Sequence, residues 1–231
     1  MRINLLKRLE SSVDSFRITL EGIIHQIEQA LKAIAQGAKG DFEGIEAHMN
    51  DEEFDWEADW GDEENVIGKK IKVHIADMDT RKWQENLNGD LVVLNHIWNS
   101  IVDIRGEKDY KLQQLIGLLD RKIANPFNPG NKKAIVFTAF ADTANYLYEH
   151  LQGHLKKKYG LHTALITGSR KISSTKTIPA DLNPLLTCFS PVSKGKAQLY
   201  PRLTDAIDLL IATDCISEGQ NLQDCDYLIN Y

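Results

Sequence analysis

Three apolar runs in the second half of this 231-residue chain end in small polar residues. Ala134-Ile-Val-Phe runs into Thr138, Leu161 to Ile166 into Thr167-Gly168-Ser169, and Asp208-Leu-Leu-Ile-Ala into Thr213-Asp214. Ligands of open parallel sheets bind beyond the carboxyl ends of the strands. Strands at these positions would therefore bring Thr138, Thr167, Gly168, Ser169, Thr213 and Asp214 to one rim, a hydrogen-bonding face of hydroxyls, amides and a carboxylate. The same groups could equally cap the loops and helices that begin there.

Other chemistry-bearing residues lead less far. His150 and His154 stand four apart on a helical pattern, but two imidazoles without a third ligand do not make a zinc site. Asp51-Glu52-Glu53-Phe54 has the form of an acidic magnesium box, yet the preceding Glu46-Ala-His-Met-Asn50 is no buried strand, so a solvated face is the better reading. No Gly-x-x-x-x-Gly-Lys-[Ser/Thr] phosphate cradle occurs, and Gly168-Ser-Arg-Lys171 does not replace one. Lys171, Lys176, Lys194, Lys196 and Arg202 decorate the segment after Ser169. They could extend a surface facing a nucleic acid duplex, although a charged exposed loop is equally ordinary.

The elements that would hold the rim are legible in the periodicity. Residues 131–231 read as strand, helix, strand, irregular basic excursion, strand, loop, strand, with strands near 134–138, 161–166, 208–213 and 226–230 and a helix over 141–158. The uninterrupted apolar runs suit strands covered on both faces, so the expected fold is α/β, an open parallel sheet with helices on both sides. The first 130 residues read as a helical extension. One long helix is expected over 5–36, with Leu5, Leu9, Val13, Phe16, Leu20, Ile27 and Ile34 among its apolar stripe, and further helices over 81–104 and 108–123. Asp79-Thr80 is a good helix N-cap, Ile71, Val73 and Ile75 suggest a short edge strand, and Asn125-Pro-Phe-Asn-Pro-Gly130 marks the boundary.

Charge is unevenly distributed. The net charge is -6, but residues 41–66 alone hold 12 acidic side chains and no Lys or Arg. Outside that insert, 27 bases face 21 acids, so an acidic segment interleaved with Phe42, Phe54, Trp56 and Trp60 masks a mildly basic body. Three cysteines read as reduced thiols of a cytoplasmic protein. No apolar run approaches the roughly 18 to 20 residues of a membrane span.

The stretch Ile211-Ala-Thr-Asp-Cys-Ile-Ser-Glu-Gly-Gln-Asn-Leu-Gln-Asp-Cys-Asp-Tyr-Leu-Ile-Asn-Tyr231 resembles motif V of superfamily 2 helicases, closest to the bacterial Snf2/Swi2-like translocases near the RNA-polymerase-recycling ATPase. Ala134 to Leu147 resembles their motif IV strand and helix, Thr167-Gly168-Ser169 their short nucleic-acid-facing motif, and Leu6-Lys-Arg-Leu-Glu-Ser-Ser12 the helical region before this lobe. The resemblance implies the second of two RecA-like lobes that sandwich ATP and magnesium and travel on double-stranded DNA or another nucleic acid. It implies backbone contacts from Thr138, Thr167, Gly168, Ser169 and Thr213, to which the charge of the following segment adds Lys171 and Lys176 as nucleic-acid candidates. It also implies nucleotide contacts from Gly219 and Asn221, the latter where an Asp is often found, and interlobe roles for Asp214 and Glu218. No residue of this chain is expected to be catalytic, and no ATP or metal is expected to bind it alone, because the first lobe and the arginine-bearing motif VI are missing. The chain reads as a fragment. Two other readings stay open: a protein-interaction module built on the long helix and the Trp-rich acidic insert, and a small enzyme on a Rossmann-like sheet.

Overall fold

A computed structural model describes residues 2–35, 79–213, 216 and 220–231. The acidic insert, the strand expected at 71–75, and Asp214, Glu218 and Gly219 lie outside the described residues.

Five strands form one sheet in the order β3-β2-β4-β1-β5. They are β1 (Ala134–Phe137), β2 (Thr163–Ile166), β3 (Lys171–Ser173), β4 (Leu209–Ala212) and β5 (Leu228–Asn230). The four strands expected from the sequence pair in parallel, and β3 closes one edge antiparallel to β2. Alternate residues face opposite ways. Val136, Leu165, Leu209 and Ile211 join one buried cluster, while Ile135, Ala164, Ile166, Leu210 and Ala212 join another. Both faces of the central strands are therefore buried, which is why β1 and β4 read as unbroken apolar runs.

Helices α4 (Tyr110–Ala124) and α5 (Ala141–Tyr159) cover the first face, through Leu112, Leu115 and Leu119 and through Leu147, Leu151 and Leu155. The α4 helix starts at Asp109, whose carboxylate accepts from Leu112 N at 3.0 Å and from the Tyr146 hydroxyl of α5 at 2.9 Å. Burial and this neighbouring carboxylate push the Tyr146 phenol above its ordinary range. Gly160 ends α5 with φ 69°, and Leu161 N bonds back to Leu155 O, closing the left-handed cap that favours glycine. The second face is covered by α6 (Leu182–Phe189), with Leu185, Leu186 and Phe189 fully buried. Thus the excursion over 170–204, expected to be irregular, holds β3, α6 and a one-turn α7 (Lys196–Leu199). Pro184 hides α6 in the sequence, but it lies in the first turn, where backbone N–H groups lack helical partners in any case.

The single helix expected over 5–36 is two, α1 (Arg2–Ser11) and α2 (Val13–Ala35). Ser12 interrupts them, its hydroxyl accepting from Ser15 N at 3.0 Å, as an N-cap does. Two compact units result: residues 1–16 with 104–231, and residues 17–103. In the second unit, α3 (Thr80–Ile101) is capped by Asp79, which accepts from Lys82 N at 3.1 Å, and Trp98 donates to Glu21 at 3.0 Å. Trp83, Leu87, Leu91, Leu94 and Trp98 are half-buried along one side of α3.

The edge strand β5 is tied to α4 by a buried ion pair. Lys122 Nζ, on a side chain only 1% exposed, lies 2.5 Å from Asp226 Oδ1 and donates to Asn131 O at 3.1 Å. Asn128 donates to the other Asp226 oxygen at 2.7 Å. Removing one member of a buried pair strands the other charge. The D226A variant should lose about 3–5 kcal/mol in urea unfolding, with K122M/D226N recovering most of it.

Carboxylates also make stability depend on acid. Burial raises the proton affinity of Asp226 and Asp224, but donors outweigh it and hold both below their ordinary value of 3.8: Lys122 and Asn128 for Asp226, and the backbone N–H groups of Val192 and Ser193 for Asp224. Donation from Thr177 and Thr175 lowers Asp205 likewise. At such sites the unfolded chain takes up protons before the folded one, so their contribution is complete above the ordinary value and lost as pH falls through the depressed one. Urea midpoints should drop between about pH 5 and pH 2, and D224N should be less stable at neutral pH with a shallower acid decline.

Candidate nucleic-acid interface

The parallel register fixes where the strands end. Phe137, Ala212 and Ile166 are aligned across β1, β4 and β2, so Thr138, Thr213 and Thr167 follow at adjacent tips. Backbone bonds continue the ladder to them: Thr138 N to Ala212 O at 3.1 Å, Thr213 N to Ile166 O at 3.2 Å, and Tyr231 N to Phe137 O at 2.8 Å. These tips share one edge.

At β2 the chain reverses in a tight turn. Thr167 is buried, and its hydroxyl accepts from Arg170 N at 2.9 Å while its N–H reaches Arg170 O at 2.8 Å. Gly168 and Ser169 are consequently pushed into solvent. Thr167 thus acts through the turn it shapes, and the exposed groups are its two successors. Lys171 pairs opposite Ile166 and stays near this edge, half-buried. The strand β3 then runs away from it. Ser174 N meets Thr163 O, and Thr175 and Thr177 both donate to Asp205, so exposed Lys176 stands at the opposite end of the sheet. The two candidate lysines, Lys171 and Lys176, are thus not brought together.

Thr138 differs from its expected role more sharply. Read as a surface contact, it is 3% exposed and turned under the α1–α2 junction. Its hydroxyl lies 3.3 Å from Ser11 Oγ, which in turn lies 2.9 Å from Thr143 Oγ1; Ser12 Oγ is also 2.9 Å from Thr143 Oγ1. Arg8 pairs with Asp142 at 2.7 Å and donates to Ser15 at 3.1 Å. Lys111 donates to the carbonyls of Glu10 and Ser11, both at 2.7 Å, and sits 4.1 Å above the Tyr231 ring. Helix ends leave carbonyls unsatisfied, and Lys111 supplies the donor for α1. Burial lowers the Lys111 pKa despite nearby Asp109 and Glu10, and pushes the Tyr231 phenol upward.

Beyond Thr213, Ile216 joins the core on the α6 side, and Asn131 Nδ2 donates to Asp224 O at 3.0 Å. Asn221 is exposed and lines an open cleft of about 720 Å³ with Gln220, Leu222, Ile135, Phe137 and Leu228. The lining holds no Lys or Arg, and its one carboxylate, Asp226, is already paired with Lys122. Lys194, at the border, donates to Gln220 Oε1 at 3.0 Å. Among the described residues no three His, Cys, Asp or Glu side chains converge to hold a metal ion. The cleft residues therefore do not fit a magnesium-bound triphosphate by themselves. They offer the neutral amides of Gln220, Asn221 and Gln223 among largely apolar side chains.

The two helical histidines are accounted for. His154 lies 2.8 Å from Asp120, and His150 packs edge-on against Tyr146 with ring centroids 4.6 Å apart. Arg170 had escaped the sequence reading; an exposed Arg in a basic loop carries no pattern, and only the turn reveals that it belongs to the edge. Its guanidinium donates to Asn145 Oδ1 at 2.6 Å.

No described helix is long and apolar enough to cross a membrane. Comparison of the chain with curated proteins returns no match. The family model for the helicase conserved C-terminal domain matches residues 110–231, just over half the chain, and takes in α4 as well as the whole sheet. With a mostly parallel sheet covered on both faces and adjacent polar strand tips, the chain belongs to the helicase conserved C-terminal domain family, the RecA-like second lobe of superfamily 2 ATP-dependent helicases.

Proposed function

We propose that this chain is the second lobe of a duplex-DNA translocase of the bacterial Snf2-like type, near the RNA-polymerase-recycling branch, and that its strand-tip edge carries a nucleic acid backbone. The observation that supports this best is the adjacency of Thr213 and Thr167 with the exposed Gly168-Ser169 turn between β2 and β3. Backbone amides and hydroxyls so placed suit phosphate oxygens, which position a strand without reading its bases. Thr138 takes a different part, bonded from within to Ser11 at the end of α1.

The nucleotide side of the proposal rests on the motif V resemblance. Gly219 and Asn221 are assigned to the nucleotide and Asp214 and Glu218 to the opposing lobe. Phosphoryl transfer is positioning plus stabilisation of developing charge, and among the described residues the lining of the cleft around Asn221 brings no Lys or Arg of its own, Lys194 reaching Gln220 at its border. The interaction-module reading needs a free stripe on the N-terminal helices; Leu20 and Ala30 of α2 are 1% and 7% exposed and count against it, although Leu6 and Leu9 of α1 are exposed.

Two measurements test the proposal. The purified chain should turn over no ATP, with or without duplex DNA; robust hydrolysis would contradict it. Fluorescence anisotropy should detect weak, salt-sensitive binding to duplex DNA. Ser169→Glu should lower the slope of log affinity against log salt by about one without changing the melting temperature.

A further inference from the structure

We infer that Arg170, held by Asn145, is a preset phosphate-binding cation of the strand-tip edge. The inference rests on the nucleic-acid reading above and names a residue it does not contain.

Other cations near this edge are engaged. Arg8 is paired with Asp142, Lys111 donates hydrogen bonds to two main-chain carbonyls beside Asp109 and Glu10, and Lys171 is half-buried. Arg170 is exposed, and the partner it holds is a neutral amide. A guanidinium carries five donors in a planar fork, so the 2.6 Å bond to Asn145 Oδ1 occupies one of them and leaves the positive charge intact. The amide orientation is also set. Asn145 Nδ2 donates to Ala141 O at 3.0 Å, turning Oδ1 outward from the first turns of α5.

The backbone of Arg170 is fixed from the other side. Its N–H and C=O both bond to Thr167, through the hydroxyl and the amide. An exposed arginine ordinarily loses side-chain entropy when it engages a ligand. Here the main chain is locked by the turn and the side chain is tethered by α5, so part of that cost is met before a phosphate arrives. The same turn presents Gly168 and Ser169 to solvent beside it. An oxygen-rich monoanion at this spot could take a bidentate contact from the fork and further donors from the turn. A phosphodiester of duplex DNA has that chemistry.

Salt-dependent anisotropy with a short DNA duplex tests the assignment, using wild type, R170Q, N145D and S169E. R170Q should reduce the salt slope by about one, equally for unrelated sequences and without changing the melting temperature. N145D should also lower the slope, because a carboxylate would neutralise the guanidinium where it stands; a merely structural tether would leave the slope alone. If S169E weakens binding while R170Q and N145D keep the wild-type slope, the Arg170 assignment is overturned and the edge reading survives. If wild type shows no salt-dependent duplex binding, both fall.

Discussion

Coverage of the sheet on both faces is the constraint from which the remaining features follow. Parallel strands give up solvent on either side, so β1 and β4 are apolar throughout and β2 is so after its buried first residue Thr163, and polar residues next appear where each strand leaves the sheet. The register then brings Thr138, Thr213 and Thr167 to neighbouring tips. A polar edge is thus a geometric by-product of an apolar core. What turns it into a candidate site is the local chain path beyond each tip, and the three paths differ. After β2 the chain reverses in two residues and leaves amides in solvent. After β1 the α1–α2 junction settles over the tip.

That junction shows how a polar edge can be divided between structure and function. Four hydroxyls, from Ser11, Ser12, Thr138 and Thr143, satisfy one another in a buried group, and the Arg8–Asp142 pair clamps its margin. Buried polar groups are costly unless paired, so this cluster specifies one seating of α1 rather than merely adding adhesion. The sheet thereby recruits a segment more than a hundred residues distant in sequence.

The sequence made the parallel sheet readable because both-face burial leaves an unmistakable pattern, and α5 was readable from Ala144, Leu147, Leu151 and Leu155 together with the lysines of its last turn. Local hydrogen-bond competition was harder to read. Ser12 breaks a helix whose apolar stripe continues through it, and Pro184 sits harmlessly in a first turn while looking like a breaker. β3 is only three residues long and half-buried, so neither alternation nor composition marks it. The strand tips were legible as positions but not as surfaces: whether Thr138 faces solvent depends on Ser11, and no periodicity connects residues 127 apart. The placement of Arg170 likewise needed the Thr167 turn and Asn145 of another element.

The antiparallel return of β3 has an effect on association. An unpaired strand is a template for a second chain unless it is short, charged or interrupted. On the β2 flank the sheet ends in a three-residue strand that carries Lys171 and gives way at once to a loop fastened through Asp205. So little backbone is left for an incoming strand that this flank resists growth into a ribbon shared between molecules.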